Sequence, residues 1–429
     1  MKIEELHKLF LHSTGISTDT RSTKKDQMFF ALKGDNFNGN NFARQAITKG
    51  AGYAIIDEEK YAENENFIVV ENVLKTLQDL ASYHRTILNI PILAITGSNG
   101  KTTTKELIHS VLRKKFETVA TAGNLNNHIG VPLTLLTMKD TTEFGIVEMG
   151  ANHHGEIRNL CEIARPDFGY ITNFGKAHLE GFGSVEGVVK AKSELYDYLR
   201  NKNKMLFLNV DDAVQKEQLN YNNIYTFGTS PTADVKVEYP PNIKFAEVIS
   251  DGYNFRSTIT GSYNSVNIAA AICIGKFFKI SDENISKAIA SYKPDNNRSQ
   301  IVKIGNLTIL MDAYNANPTS MKASLESFHN YPAEAIKIVI LGDMFELGKI
   351  SEEEHQKLVS YAQTLNFDQI YLVGKNFFKV AIAGHTEKFE SFENFSRDFT
   401  NKIPEKAHLL IKGSRGMALE RVLDVIKKS

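Results

Sequence analysis

Apolar positions fall along this chain as short buried-strand runs separated by helix-periodic stretches, the texture of parallel sheets joined by crossover helices. Residues 1 to about 88 hold the runs Met28-Phe-Phe-Ala-Leu, Tyr53-Ala-Ile-Ile and Phe67-Ile-Val-Val between polar turns, and read as a small α/β unit. Near Ile90-Pro91 the texture changes. Pro91-Ile-Leu-Ala-Ile-Thr-Gly is strand-like, ends in glycines and feeds a helical segment from Thr102 to about Lys114. Phe144-Gly-Ile-Val-Glu-Met, Phe168-Gly-Tyr-Ile-Thr and Met205-Leu-Phe-Leu-Asn-Val continue the series. From Val235 to Gly261, shorter and more polar runs broken by Pro240-Pro241 and Asp251-Gly252 predict an antiparallel insert. A helical stretch, Ser265 to Phe278, precedes Lys293-Pro-Asp-Asn-Asn, a polar linker. Beyond it Leu307-Thr-Ile-Leu-Met, Ile338-Val-Ile-Leu-Gly, Ile370-Tyr-Leu-Val-Gly and Leu409-Leu-Ile-Lys-Gly each lead into a helical pattern, a Rossmann-like alternation. The prediction is an α/β protein of three domains: 1–88, 89–296 with a mostly parallel sheet, and 297–429.

Composition narrows the class rather than the function. Of the 429 residues, 42% are apolar and 23% charged, enough for a sizeable core and too apolar for global disorder. Lys+Arg and Asp+Glu are both 50, so no whole-protein basic field exists and no nucleic-acid partner is expected. Cys161 and Cys273 are too few for a disulfide framework and fit a reducing cytosol, so a cytoplasmic location is expected. The start, Met1-Lys-Ile-Glu-Glu-Leu, carries early acids and no apolar stretch, unlike a secretory signal. No apolar run approaches the ~18 residues of a bilayer span, so no membrane insertion is expected. A monomer is expected.

The most informative segment is Thr96-Gly-Ser-Asn-Gly-Lys-Thr-Thr-Thr, with a strand before it and a helix after it. Gly97 and Gly100 let the backbone turn and aim N–H groups at phosphate oxygens. The helix start adds its positive end, Lys101 a point charge and Thr102 a hydroxyl for Mg²⁺. The spacing departs from the usual G-x-x-x-x-G-K-[ST], because Ile95 stands where the first glycine would be. An ATP or GTP site follows; a choice among ligase, kinase and regulatory NTPase does not. Glu148 ends a strand, where a carboxylate reaches the crevice in which parallel sheets bind ligands and could take Mg²⁺. His178, after Thr172-Asn-Phe-Gly-Lys-Ala, shares that edge and is open between a second metal ligand and a loop histidine. Lys192, on the helical pattern Val188-Val-Lys-Ala-Lys-Ser-Glu-Leu, reads on residue grounds as a solvated charge. His153-His154 lack metal-ligand spacing and read as polar loop residues.

Taken together, these residues resemble the Mur ligase family, ATP-dependent amide-forming enzymes of peptidoglycan precursor synthesis, over essentially the whole chain. Thr96-Gly-Ser-Asn-Gly-Lys-Thr is similar to the family's shortened phosphate loop, and Asn124-Leu-Asn-Asn-His-Ile-Gly-Val-Pro-Leu-Thr to the asparagine-rich loop that follows it. The resemblance implies ATP contacts from Gly97, Ser98, Asn99, Gly100, Lys101, Thr102, Thr103 and Asn127, with Asn267 on the adenine side. It implies two Mg²⁺ ions on Thr102, Glu148 and His178, and moves Lys192 into the site as a possible carbamylated lysine that bridges metals or positions phosphate.

In the third domain, Asp312-Ala-Tyr-Asn-Ala-Asn-Pro-Thr-Ser-Met321, Gly342-Asp-Met-Phe-Glu-Leu-Gly348 with His355, and Lys412-Gly-Ser-Arg-Gly resemble one branch of the family. That branch adds D-alanyl-D-alanine to UDP-N-acetylmuramoyl-tripeptide. Tyr314, Asn315, Asn317 and Ser320 are then expected on the substrate side, Arg298 at the γ-phosphate on domain closure, and Asp312 near the ribose. Ser17-Thr-Asp-Thr-Arg21, Phe29-Phe-Ala-Leu-Lys-Gly34 and Gly50-Ala-Gly-Tyr-Ala resemble the branch's UDP-binding domain, implying contacts from Thr18, Asp19, Thr20, Arg21, Lys33, Asn38 and Asn40. The chain departs from the pattern at Asn38-Gly-Asn40, where Asp-Gly/Ala-His is usual, and at Tyr263, where His is frequent.

The implied chemistry is activation of the tripeptide carboxylate by ATP to an acyl phosphate, attack by the dipeptide amine, and loss of phosphate, with Lys101, Glu148, His178, Lys192 and Arg298 managing charge. Alternatives are another Mur-type ligase, a folylpolyglutamate synthetase-like ligase, or a non-catalytic P-loop sensor or scaffold for a UDP-linked precursor. The leading domain and the Asn315-Ala-Asn-Pro-Thr-Ser-Met segment argue against folylpolyglutamate synthetase. Retention of all five charge-handling residues argues against the sensor.

Overall fold

The computed structural model describes residues 1–241, 244–294, 296–332 and 335–428. Asp295 of the predicted linker and Asn242-Ile243 of the predicted insert lie outside the described residues. Each domain is built on a sheet. In the first, strands Ile16–Ser17, Met28–Phe30, Tyr53–Ile56 and Phe67–Val69 lie side by side, all parallel.

Among the described residues the central sheet has seven strands, all parallel. Its first strand along the chain, Ile92–Thr96, pairs with Phe144–Glu148 on one side and Phe168–Ile171 on the other. The chain runs outward to Thr118–Ala120 at one edge, returns through Phe144–Glu148, and then crosses Ile92–Thr96 to Phe168–Ile171, Met205–Asn209, Ile224–Gly228 and Val235–Lys236 at the other edge. That reversal opens a crevice at the carboxyl ends of the middle strands, where the phosphate loop lies. The predicted antiparallel insert is smaller than expected. Val235–Lys236 joins the parallel sheet, and among the described residues of the insert only Glu247–Ser250 and Tyr253–Arg256 form an antiparallel ribbon, apart from an isolated bridge from Glu238 to Ile249.

The third sheet orders Gln300–Ile304, Leu307–Met311, Ala407–Lys412, Ile336–Gly342, Gln369–Val373 and Thr386–Phe389; the first pair is antiparallel and the rest parallel.

The helix Val73–Leu88 ties the first two domains together. Asn72 caps its start by accepting from Lys75 N–H (2.8 Å), and Asn89 ends it in the left-handed conformation just before Pro91. Its Val73, Leu77, Leu80 and Ala81 are buried in one apolar cluster that runs from Leu6 and Phe10 through Ile92 and Val131 to Leu160. Each fully buried leucine contributes about 1.5–3 kcal/mol. Arg85 crosses the boundary to pair with Asp167 at 2.9 Å and to donate to Ala164 O at 3.1 Å. His84 does the same, its Nε2 2.9 Å from Met138 O, while its Nδ1 lies 2.9 Å from His7 Nε2. No helix among the described residues is long and apolar enough to cross a membrane.

Candidate active site

The phosphate loop is strapped from behind. Gly97 has φ +139°, and a Cβ there would stand 2.0 Å from Thr172 Oγ1; Gly100 has φ +79° and its Cβ would meet Asn267 Oδ1 at 2.7 Å. Glycine is required at both on conformation and on space. Asn173 accepts from Asn99 N–H (3.1 Å) and donates to Asn99 O (2.9 Å), while Ser98 N–H donates to Asn173 O (3.0 Å). Helix Lys101–Leu112 starts on Gly100 with no side-chain cap, so its first N–H groups remain for a ligand. Lys101 Nζ folds back to donate to Gly97 O at 2.7 Å, and burial is the main force lowering its pKa.

Glu148 is almost fully buried at its strand end. Its Oε1 accepts from Asn126 Nδ2 (2.8 Å) and Thr102 Oγ1 (3.3 Å). Its Oε2 accepts no hydrogen bond and lies 3.5 Å from Nζ of the buried Lys105. A buried carboxylate oxygen left without a hydrogen bond, beside a threonine hydroxyl and a phosphate loop, is a donor set that fits Mg²⁺. Among the described residues no three His, Cys, Asp or Glu side chains group as a metal cluster, so an ion here would complete its coordination with water or ligand oxygens. Thr102, Glu148 and, separately, His178 are the residues that would hold metal.

Lys192 is not the solvated charge its helical position suggested. It is fully buried, donates to Ala151 O (3.2 Å) and sits 5.1 Å from the Phe182 ring centroid; burial pushes its pKa well down, and Lys101 adds to the effect. His178 has a left-handed backbone (φ +53°), and its Nδ1 is 2.5 Å from Glu346 Oε2. That contact holds the Glu346 carboxyl below its ordinary pKa. His153 is exposed and pairs with Glu156, and His154 packs edge-on to Phe182.

The third domain closes the crevice from the other side. Asn317 caps helix Pro318–Asn330, accepting from Ser320 N–H (2.9 Å), and reaches across to donate to Asn99 Oδ1 (2.7 Å). Lys176 N–H donates to Thr319 Oγ1 (3.1 Å) and its Nζ pairs with Glu354 (2.9 Å). The Arg298 guanidinium stacks 3.6 Å over the Tyr314 ring, with its buried Nε unpartnered. Asp312 takes Lys412 Nζ at 2.5 Å, Ser324 Oγ at 2.8 Å and Ser299 N–H at 3.2 Å.

One cavity of about 850 Å³ results. It brings together Ser98, Asn99, Gly100, Lys101, Thr102 and Thr103 with Asn127, Glu148, His178, Asn267, Arg298 and Asp312, and with Tyr314, Asn315, Asn317 and Ser320. Gly97 and Lys192 stand behind its wall. The N-terminal candidates are elsewhere. Arg21 is 89% exposed and forks onto Asp19, whose carboxyl it holds at about 2. Thr18 is half-buried beside this pair, Thr20 donates to Gln45, and Lys33 pairs with Asp57 and Glu58. Asn38 donates to Glu58, and Asn40 is fully buried, exchanging hydrogen bonds with Asp57 and donating to Asn38.

Family models match nearly end to end: "Mur ligase family, catalytic domain" over 12–85, "Mur ligase middle domain" over 95–275, and "Mur ligase, glutamate ligase domain" over 297–415. The UDP-N-acetylmuramoyl-tripeptide--D-alanyl-D-alanine ligase of Bacillus subtilis is 33% identical, covering 95% of this chain and 92% of its own. The chain belongs to the Mur ligase family. Among solved structures, MurF from Acinetobacter baumannii superposes with TM-score 0.87 at 29% identity over 99% of this chain and 98% of that one. The MurF ligase of Thermotoga maritima in complex with ADP gives 0.85 at 27% identity, covering 100% and 99%.

Several members of this Mur ligase site escape motif reading. Asn126, Asn173 and Lys105 hold Glu148 or the phosphate loop, yet are single polar residues on turns or a helix. Only the asparagine richness of 124–127 hinted at the first. Glu346 sits within a quoted segment, but nothing local ties it to His178.

Proposed function

We propose that this chain is the ATP-dependent ligase that joins D-alanyl-D-alanine to UDP-N-acetylmuramoyl-tripeptide, forming the pentapeptide precursor of peptidoglycan. The observation that carries the reading is the shared cavity. Phosphate-binding groups of the central domain face Arg298, Asp312, Lys412 and the Asn315–Ser320 segment of the third domain, and relatives alike over the whole chain bear this ligase's name.

The chemistry follows from the groups present. A carboxylate is a poor electrophile at neutral pH and must first take the γ-phosphoryl group of ATP, with ADP leaving. The phosphate loop N–H groups and Lys101 neutralise the phosphate oxygens, and the burial of Lys101 leaves little water to screen its interaction with them. Arg298, stacked on Tyr314 with Nε free, is available to the phosphoryl group from the opposite side. Mg²⁺, when bound, would supply Lewis-acid neutralisation of the same oxygens, held by Thr102, Glu148 and His178. The dipeptide amine then attacks the acyl carbon, and the tetrahedral intermediate expels phosphate. Contacts between central and third domains keep water from the acyl phosphate.

Four finer points belong to the same reading. Lys192 is a buried, readily neutral amine, which favours carbamate formation; ¹³C-bicarbonate labelling followed by NMR tests this. Thr18, Asp19, Thr20, Arg21, Lys33 and Asn38 serve the uridine diphosphate, with Asn40 supporting them from below. Domains divide near 88 and 296, and the enzyme works as a cytoplasmic monomer. The decisive assay incubates protein, ATP, UDP-N-acetylmuramoyl-tripeptide and D-alanyl-D-alanine and measures phosphate release. Omitting the dipeptide should stop release; undiminished release means a plain NTPase. Running lysine- and meso-diaminopimelate-containing tripeptides side by side assigns the third residue.

A further inference from the structure

Arg298 stands between two residues with left-handed backbones, Asn297 at φ +56° and Ser299 at φ +48°. Such conformations persist in non-glycine residues only when their surroundings fix them. Asparagine visits this region more readily than serine, so Ser299 is the residue that needs holding. Asn297 O accepts from Tyr314 N–H (3.2 Å), and the Tyr314 ring carries the Arg298 guanidinium at 3.6 Å. A turn of the backbone at 297 or 299 would swing that guanidinium off its ring.

Ser299 is buried and gripped from both domains. Its N–H donates to Asp312 Oδ1 of the third domain at 3.2 Å. Its other partners belong to the central domain. Thr260 Oγ1 donates to its carbonyl (3.3 Å), Asn264 Nδ2 donates to its Oγ (3.1 Å), and the Tyr263 hydroxyl shares a hydrogen bond with the same Oγ (2.9 Å). The chain has tyrosine at 263 where histidine is frequent, and the longer phenol carries its hydroxyl across to Ser299. Asn264 is held in turn: Nδ2 also donates to Thr260 O (2.8 Å), and Oδ1 accepts from Asn267 Nδ2 (2.8 Å). Asn267 Oδ1 accepts from Thr104 Oγ1 (3.0 Å), in the first turn of the helix that follows the phosphate loop. A continuous run of side-chain hydrogen bonds therefore joins that helix to Ser299.

We infer that Tyr263 and Asn264 are positioning residues for Arg298. By clamping Ser299 to the central domain they fix the left-handed turn through which the chain enters the third domain. That turn sets the aim of the Arg298 guanidinium into the cavity that all four residues line. The phosphate loop and the arginine facing it are thereby referred to one scaffold, the start of helix Asn264–Phe277. This rests on the assignment of Arg298 to the phosphoryl group in the proposed function and adds what holds the arginine there.

The test measures phosphate release by the full chain with ATP, UDP-N-acetylmuramoyl-tripeptide and D-alanyl-D-alanine. It compares wild type, Tyr263→Phe, Ser299→Ala, Arg298→Lys and the double variant Tyr263→Phe/Arg298→Lys. Tyr263→Phe removes one hydroxyl and should lower kcat about tenfold, the equivalent of one hydrogen bond, with the KM for ATP held. Ser299→Ala removes the acceptor of both Tyr263 and Asn264 and should lower kcat at least as far. In the Arg298→Lys background, Tyr263→Phe should lower kcat no further. Unchanged kcat with a raised KM for ATP would overturn the inference, because Tyr263 would then be a nucleotide contact. Losses that multiply in the double variant would overturn it as well, since Tyr263 would not be acting through Arg298. Amide hydrogen exchange over residues 296–314, with a non-hydrolysable ATP analogue bound, reads the clamp without turnover. Tyr263→Phe should speed that exchange about tenfold, and an unchanged rate would overturn the clamp. Should Tyr263→Phe lower the thermal midpoint, Ser299→Ala gives the same readings at a temperature below both midpoints. A wild type that forms no amide counts against the ligase reading, while the exchange rates still decide whether Tyr263 holds Ser299.

Discussion

Lys101 and Arg21 are both cations assigned to nucleotide ligands, and the fold treats them in opposite ways. Lys101 is desolvated against its own glycine loop, in a cavity walled by two domains. Arg21 stands 89% exposed, paired with a neighbouring aspartate. The difference separates two strategies. In the interdomain cavity, charges are held out of water before the ligand arrives, so each is strong in the transition state and dear to the fold. On the first domain, charges wait in water and in surface pairs that a ligand can exchange, so binding is adjustable and the fold is indifferent to them.

Substitutions can break this contrast. The largest effect is expected for Lys101→Ala: a loss of roughly 10³-fold or more in amide formation, the scale of removing a preorganised charge. Binding of the UDP-linked substrate, followed by calorimetry, should persist; near-normal turnover would sink the nucleotide assignment. Next comes Asn40→Ala, which strips partners from Asp57 and Asn38 in a buried network. It should lower unfolding free energy by about 2–3 kcal/mol in a urea titration. If stability holds and only substrate affinity falls, Asn40 belongs to the exchangeable surface instead.

Arg21→Ala should leave the thermal midpoint unchanged and raise the KM for the UDP substrate roughly tenfold, the loss of one charge-assisted hydrogen bond, with the KM for ATP unaffected. A falling midpoint would erase the distinction.

The smallest effect concerns pH. His7 and His84 are buried, and desolvation lowers both pKa values below 6.5. Below that value the unfolded chain binds protons that the folded chain refuses, so stability is complete above about 6.5 and declines as pH falls toward the lowered values. His84→Gln should make this decline shallower between pH 7 and 5 in thermal melts, leaving turnover at pH 8 unchanged. An identical slope would remove the pair from the pH response.

How much of this could be read from the chain depends on how local each feature is. The phosphate loop was legible because its work is done by contiguous backbone, whose glycine positions are dictated by φ and by close approach. Glu148 was legible because a strand end fixes where its side chain emerges. The burial of Lys192 was not, since helical periodicity tells which residues share a face but not what covers it; Phe182 and Ala151 do. The pairing of His178 with Glu346 depends on how two domains dock, which no local pattern encodes. Thr118–Ala120 and Val235–Lys236 are too short for alternation to mark, so the pattern does not show the first and points to an antiparallel insert for the second, which instead joins the parallel sheet. The family resemblance implies a ligand contact at Asn40, whereas its full burial in an Asp57–Asn38 network gives it a supporting place.

The helix Val73–Leu88 has a bearing on how the molecule could be taken apart. Cutting the chain after residue 88 would bare Leu77, Leu80 and their partners on both pieces, two sticky half-cores that would associate or precipitate. The seam between the second and third domains is mostly polar, made by Asn99 with Asn317, Lys176 with Thr319 and Glu354, and His178 with Glu346. Split there, the molecule should yield two well-behaved fragments, an assembly whose reunion could itself report on nucleotide.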